Sequence, residues 1–238
     1  MLRHNTAITV LDLAGNNFQE DSARLFADML QVNRTLRELN LSHNSFRERG
    51  GQILGPALGN NDTLEVLDLS WNHLRRKGAV AICKGLAENI GLRTLDVSWN
   101  GFYLEGSKEM AKALAVNTTL QNLDLSCNRI DRICLKLLLK GLKANESLIT
   151  LKLRENAVGL EGMMDILKQL TTMENPRLSN IDVSSQFVDE TFLKTLTELQ
   201  ETKLPQLQIH HGHVLYKSEK SDHLSQNNTV GNSVDNTK

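Results

Sequence analysis

Trp71 and Trp99 are the two tryptophans of this 238-residue chain, and each stands directly before an asparagine, 28 residues from the other. Tyr103 follows three residues after Asn100, and Arg75 and Arg47 occupy the matching places one and two periods earlier. Trp, Tyr and Arg are the residue types that dominate the energetics of protein interfaces. The chemistry they offer is recognition rather than bond-making. A second series, Asp12, Asn40, Asp68, Asp96, Asp124, Lys152 and Asp182, recurs on the same spacing, stretched to 30 at its last step. On adjacent strands ~4.8 Å apart these side chains form a ladder. Two readings stand for each series. The aspartates are either an acidic stripe that steers a basic partner or part of a generic repeat phrase. Like charges at strand spacing repel, which leaves room for the first. The tryptophans are either partner-facing anchors or rings that cover a strand-to-loop turn.

Reactive chemistry finds less support. Arg75-Arg76-Lys77 reads as a basic loop tip. A regulator or activator of a small GTPase would present an arginine from such a loop, and this is the alternative function carried here. His210-His211-Gly212-His213 has the side chains to hold a metal, but no Cys or carboxylate accompanies it at metal spacing. Cys127 and Cys134 fall in small-residue slots and read as inert thiols. No catalytic triad, phosphate-binding loop, cofactor motif or metal motif emerges, so the expectation is a non-enzyme without catalytic, cofactor or metal residues.

The elements that must position these residues are written in one phrase, L-x-x-L-x-L-x-x-N. It runs from Leu64 to Asn72 and returns at Leu36–Asn44, Leu92–Asn100, Leu120–Asn128, Leu148–Asn156 and, led by isoleucine, Ile8–Asn16. A fixed period in the twenties is the mark of a repeat solenoid. Alternation within the phrase predicts a short strand with one buried face. The Asn amide can pair with backbone groups left open by the turn, so stacked copies predict a buried ladder. Small residues follow six positions later (Gly50, Gly78, Gly106, Gly162), suited to close approach at the start of a helix. Apolar pairs such as Ile82 and Leu86 or Met110 and Leu114 then mark one inward helical stripe. Asn33, Asn61, Asn117 and Asn145 predict helix ends with a left-handed cap. They also match the N-glycosylation pattern, read here as structural and unmodified.

The array is assigned to residues 1–212. A degraded seventh copy spans Leu178–Gln186, a helix is expected within 187–203, and a last strand over Leu204–Ile209. Such atypical copies act as a C-terminal cap. Residues 213–238 are Ser, Asn, Lys and Asp-rich and are expected to be a disordered polar tail. Leu2 and Asn5 lie one period before Leu30 and Asn33, so the chain opens mid-repeat. That predicts a fragment, a late-starting isoform, or an uncapped repeat that meets a partner or a second copy.

Formal net charge is −1, which gives no argument for nucleic acid or an anionic membrane. No apolar run approaches the ~18 residues that span a bilayer, and the first residues lack the features of a signal peptide. Three cysteines cannot all pair, which fits a reducing compartment: cytoplasmic or nuclear, not secreted.

The period, the phrase and the G-x-x-x-L-x-x-x-L helix together resemble the ribonuclease-inhibitor-like class of leucine-rich repeats over residues 1 to about 212. Leu39-Asn40-Leu41-Ser42-His43-Asn44 and Leu67-Asp68-Leu69-Ser70-Trp71-Asn72 look like cytosolic members, including NLR-type sensors, and most like the leucine-rich repeat-containing protein 74 group. Ribonuclease inhibitors proper are cysteine-rich and alternate two repeat types, which this chain does not. The resemblance implies an α/β horseshoe with a parallel sheet on its concave face. It also implies a scaffold binding a protein partner, with no nucleic acid and no membrane. The residues expected at that interface are Trp71, Trp99, Tyr103, Arg75, Arg47, Asp68, Asp96 and Asp124.

Overall fold

A computed structural model describes residues 2–174 and 176–216. After a short 3-10 turn at Leu2–His4, strand and helix alternate: β1 (Val10–Asp12), α1 (Glu20–Val32), β2 (Glu38–Asn40), α2 (Arg47–Gly59), β3 (Val66–Asp68) and α3 (Lys77–Glu88). They continue as β4 (Thr94–Asp96), α4 (Tyr103–Val116), β5 (Asn122–Asp124), α5 (Arg132–Leu142), β6 (Thr150–Lys152) and α6 (Gly159–Thr172). The described residues end with β7 (Asn180–Val183), β8 (Val188–Asp189), α7 (Glu190–Thr202), β9 (Gln208–His211) and β10 (Val214–Leu215).

The main sheet is parallel and eight-stranded, in the order β1-β2-β3-β4-β5-β6-β7-β9. The period fixes its register: Leu39 faces Leu67, Leu67 faces Leu95, Leu95 faces Leu123 and Leu123 faces Leu151. Strands β2 to β6 point their central leucines, Leu39, Leu67, Leu95, Leu123 and Leu151, into the core that the helices' apolar stripes share. Ile82 and Leu86 of α3, and Met110 and Leu114 of α4, are all buried. Each such side chain contributes roughly 1.5–3 kcal/mol, so the core grows repeat by repeat. The result is a leucine-rich repeat solenoid with a sheet on one face and helices on the other.

The predicted Asn ladder is present. Asn100 accepts the N–H groups of Asn72 and Leu74 at 3.1 and 2.9 Å, while its amide donates to the carbonyls of Leu69, Val97 and Ser98. Where Gln186 replaces Asn, its longer amide still reaches Gly159 N–H and the Asn156 carbonyl.

Two local expectations are corrected. Asn33, Asn117 and Asn89 leave their helices with φ near −75° and extended ψ, not left-handed. They belong instead to a second buried ladder. The Asn117 amide donates to the carbonyls of Leu86 and Asn89, both at 2.9 Å, and its carbonyl oxygen accepts from Thr119 and Leu120. Asn61 and Asn145 repeat the pattern. The nitrogen that glycosylation would need is therefore buried and doubly engaged. The last strand also shifts. Leu204-Pro205 forms a turn closed by Leu207 N–H on the Leu204 carbonyl, and β9 begins at Gln208. Pro205 has no N–H to give a ladder. Parallel pairing of β10 with β8 carries order past residue 212, to Leu215. The tail expected from 213 otherwise falls at 217–238, outside the described residues.

Candidate functional site

One position of the repeat has a conformation that the sequence phrase does not announce. In the six copies that keep the ladder Asn, the residue before it is left-handed: Gly15 (φ 69°), His43 (53°), Trp71 (55°), Trp99 (56°), Cys127 (55°) and Glu155 (51°); Ser185, before Gln186 in the seventh, is not. Its N–H still reaches the next repeat, as Trp71 to the Ser98 carbonyl and Trp99 to that of Ser126, both at 3.0 Å. The chain then turns out of the strand. Left-handed backbone costs an L-residue about 1–2 kcal/mol that glycine avoids, and Gly15 shows the unstrained solution.

The turn aims this column of side chains off the sheet edge, toward solvent. The rings stack. The centroid of Trp71 lies 5.3 Å from that of His43 and 3.9 Å from that of Trp99, with planes within 15° and 13° of parallel. Trp71 remains 38% exposed and Trp99 45%. The column ends at Cys127, whose small side chain leaves the far face of Trp99 without a ring.

An open groove of about 820 Å³ lies along this rim. Trp71, Trp99, Tyr103 and Arg75 line it together, and Arg129 and Glu155 join them. Arg75 runs across Gly101: a methyl group there would lie 3.4 Å from its Cγ. Arg47 sits instead in a neighbouring groove of about 610 Å³, with Glu20, Glu48, His73, Arg75 and Arg76. Arg129 and Glu155 were identifiable only as members of columns that the parallel register places side by side.

Asp68, Asp96 and Asp124 lie in register on the sheet face, beside the rings. Each accepts the N–H two residues on, from Ser70, Ser98 and Ser126, at 2.8–2.9 Å. Both readings of this series gain content here. The side-chain oxygen closes the strand exit, but Asn40 does the same for Ser42 at 2.9 Å without a charge. The carboxylate is thus surplus to the turn. At Lys152 the job passes to the Ser126 hydroxyl, which accepts from Arg154 N–H, and Lys152 pairs with Asp124 at 3.5 Å. The Asp96 carboxyl is pushed up to about 6, chiefly by burial and further by Asp124 and Asp68, against the pull of Ser98 N–H.

The thiols are held in their protonated form. Burial raises Cys83 well above the ordinary thiol range, raises Cys134, and with Glu155 and Asp124 pushes Cys127 up to about 11. Such thiols are poor nucleophiles. Among the described residues no cluster of three or more His, Cys, Asp or Glu is arranged for a metal. No helix among them is long and apolar enough to cross a membrane.

Five segments, residues 4–27, 32–54, 60–83, 116–132 and 144–167, match the family model described as Leucine Rich repeat. Repeat match and fold agree on the class, a leucine-rich repeat solenoid. One solved structure that the chain matches is Leiomodin-1 Actin-Binding Site 2 (ABS2), at 22% identity and a TM-score of 0.49, over 59% of this chain and 84% of that one. No curated protein sequence matches.

Proposed function

We propose that this chain is a non-enzymatic protein–protein interaction module, engaging a partner across its sheet face and the adjoining rim. The observation that carries this is the placement of Trp71 and Trp99 at left-handed positions where the two residues remain 38% and 45% exposed. Folding alone favours glycine or asparagine there. Large rings kept at a strained, half-exposed position serve contact with something else. Tyr103 at 55% exposure and Arg75 extend the same patch. Eight strands give a face about 35 Å long, enough for a standard interface of ~800 Å² per partner. The L-x-x-L-x-L-x-x-N phrase, the 28-residue period and the G-x-x-x-L-x-x-x-L helix favour the ribonuclease-inhibitor-like class, and phrases such as Leu67-Asp68-Leu69-Ser70-Trp71-Asn72 resemble the leucine-rich repeat-containing protein 74 group.

The test is quantitative affinity capture from lysate with wild type beside the Trp71→Ala/Trp99→Ala double variant. Circular dichroism first confirms that the variant keeps its fold. Specific partners lost from the variant support a binding surface at this rim. Identical partner sets would move the surface elsewhere on the solenoid.

A further inference from the structure

The ring column stops one step short. His43, Trp71 and Trp99 stack in consecutive repeats, the next place belongs to Cys127, and the one after to Glu155. Two repeat steps separate Trp99 from Glu155, roughly 10 Å at strand spacing. A thiol fills little of that span, so an opening the thickness of one planar group lies over Cys127 within the groove.

Charge decides what kind of planar group it takes. A tryptophan face is negative and attracts cations within about 6 Å. Glu155 lines the groove beside Cys127. Asp124, three residues before Cys127 on the sheet face, also acts electrostatically on that thiol, and Arg154 acts on it in the opposite sense. Asp96 precedes Trp99 by three residues on the sheet face. Glu155 and Asp96 have no ion-pair partner among the described residues, and Asp96 is a carboxylate where Asn40 shows that an amide would serve the turn. The cations nearby are largely committed: Lys152 pairs with Asp124 at 3.5 Å and Arg154 with Asp182 at 3.9 Å. Arg129 also lines the groove and has no ion-pair partner among the described residues. Arg75 belongs to the repeat on the other side of Trp99, laid over Gly101.

We propose that the opening over Cys127 takes an arginine side chain of a partner protein, its guanidinium stacked on the free face of Trp99, with Glu155 in the groove beside it and Asp96 and Asp124 on the adjoining sheet face. A guanidinium is flat, always charged and weakly hydrated, which suits a stacked site bordered by carboxylates. This inference rests on the rim being a partner-binding surface and adds the chemistry of what it binds.

The experiment uses the full chain, isotope-labelled, with its two indole N–H signals followed by NMR. The probes are end-blocked tripeptides: Gly-Arg-Gly, Gly-Lys-Gly, Gly-Gln-Gly and Gly-Glu-Gly. Gly-Arg-Gly is expected to shift the Trp99 signal saturably and more than that of Trp71, ahead of Gly-Lys-Gly, with Gly-Gln-Gly and Gly-Glu-Gly inert. The Asp96→Asn/Glu155→Gln variant, which keeps every amide-compatible hydrogen bond, is expected to bind Gly-Arg-Gly about tenfold more weakly. Equal response to Gly-Gln-Gly, preference for Gly-Glu-Gly, or affinity unchanged in the carboxylate variant would overturn the proposal. If captured partners depend on the tryptophans while Gly-Arg-Gly leaves Trp99 unmoved, the rim surface stands and the arginine assignment falls. If partners ignore the tryptophans, the rim surface itself falls.

Discussion

The indoles of Trp71 and Trp99 lie 3.9 Å apart and 13° from parallel, closer than the ~4.8 Å spacing of the strands that carry them. The two rings lean together instead of standing upright, which covers one face of each. Such a pair contributes about 0.5–1.5 kcal/mol beyond the area it buries. Two indoles this close couple electronically, so the native protein is expected to show an exciton couplet in its far-ultraviolet circular dichroism. Either single substitution, Trp71→Phe or Trp99→Phe, should abolish the couplet while leaving the helical signal intact. A couplet that survives either change would show that the rings are not stacked in solution.

Asp96 sets a pH dependence of stability. Its folded carboxyl sits at about 6 against an ordinary 3.8. Below about pH 4 both folded and unfolded chains are protonated, and the group costs nothing. From about pH 4 to 6 the unfolded chain binds fewer protons than the folded one, so stability falls as pH rises. Above 6 the penalty is complete, about 3 kcal/mol. Asp96→Asn keeps the bond to Ser98, as Asn40 does for Ser42. It should therefore unfold at higher denaturant than wild type at neutral pH and at the same denaturant near pH 4. A less stable variant at neutral pH would contradict this account.

Breaking a ladder should cost most where its asparagine is buried. Asn89 donates to the carbonyls of Leu58 and Asn61 at 2.8 and 2.6 Å and accepts from Gly91 and Leu92 at 3.0 and 2.7 Å. Asn89→Ala leaves these buried groups unpaired, each at about 1–3 kcal/mol, for a loss of at least about 3 kcal/mol in denaturant unfolding. Asn16 is exposed, and its amide donates to the Ala14 carbonyl alone. Asn16→Ala should cost less than about 1 kcal/mol. Equal losses at the two sites would show that burial does not govern the ladder.

Two glycines should respond for different reasons. A Cβ on Gly85 would run into the Gly55 carbonyl, where α2 and α3 meet backbone to backbone. Gly85→Ala must push those helices apart, at about 3 kcal/mol or more. Gly15 has nothing within 4 Å of that position but carries φ +69°, so Gly15→Ala costs only backbone strain, about 1–2 kcal/mol. Thermal unfolding of both variants ranks the two mechanisms directly.

The strands, the helices and the first asparagine ladder could be read from the chain because leucine spacing and strand register are the same fact seen twice. Leu67 must face Leu95 once the period is 28. The rim was legible in part. Trp71, Trp99, Tyr103 and Arg75 share columns, and columns become surfaces when strands stack. The left-handed turn beneath them was hidden, since glycine marks it only at Gly15 while histidine, tryptophan, cysteine and glutamate hold the other places. Asn89 belongs to the second ladder but is not marked with the other helix-end asparagines, because Ile90-Gly91 follows it where its counterparts have Thr or Ser two residues on. The shift of β9 came from Pro205, whose effect on pairing outweighs the alternation around it.

The second ladder also gives the solenoid a direction. Asn61, Asn89, Asn117 and Asn145 each reach back to carbonyls at the close of the helix before, never forward. The helix-end carbonyls of Leu58 and Leu86 accept from their own chain and gain a second donor only when the next repeat is in place; the series skips α5, where Met173 takes the asparagine's place, and at α6 the donor is the Lys203 ammonium on the Thr171 carbonyl. Like courses of masonry, each keyed into the one beneath, the repeats lock behind the growing end. A chain emerging from the ribosome amino end first meets these keys in the order in which it needs them, with its newest course the loosest.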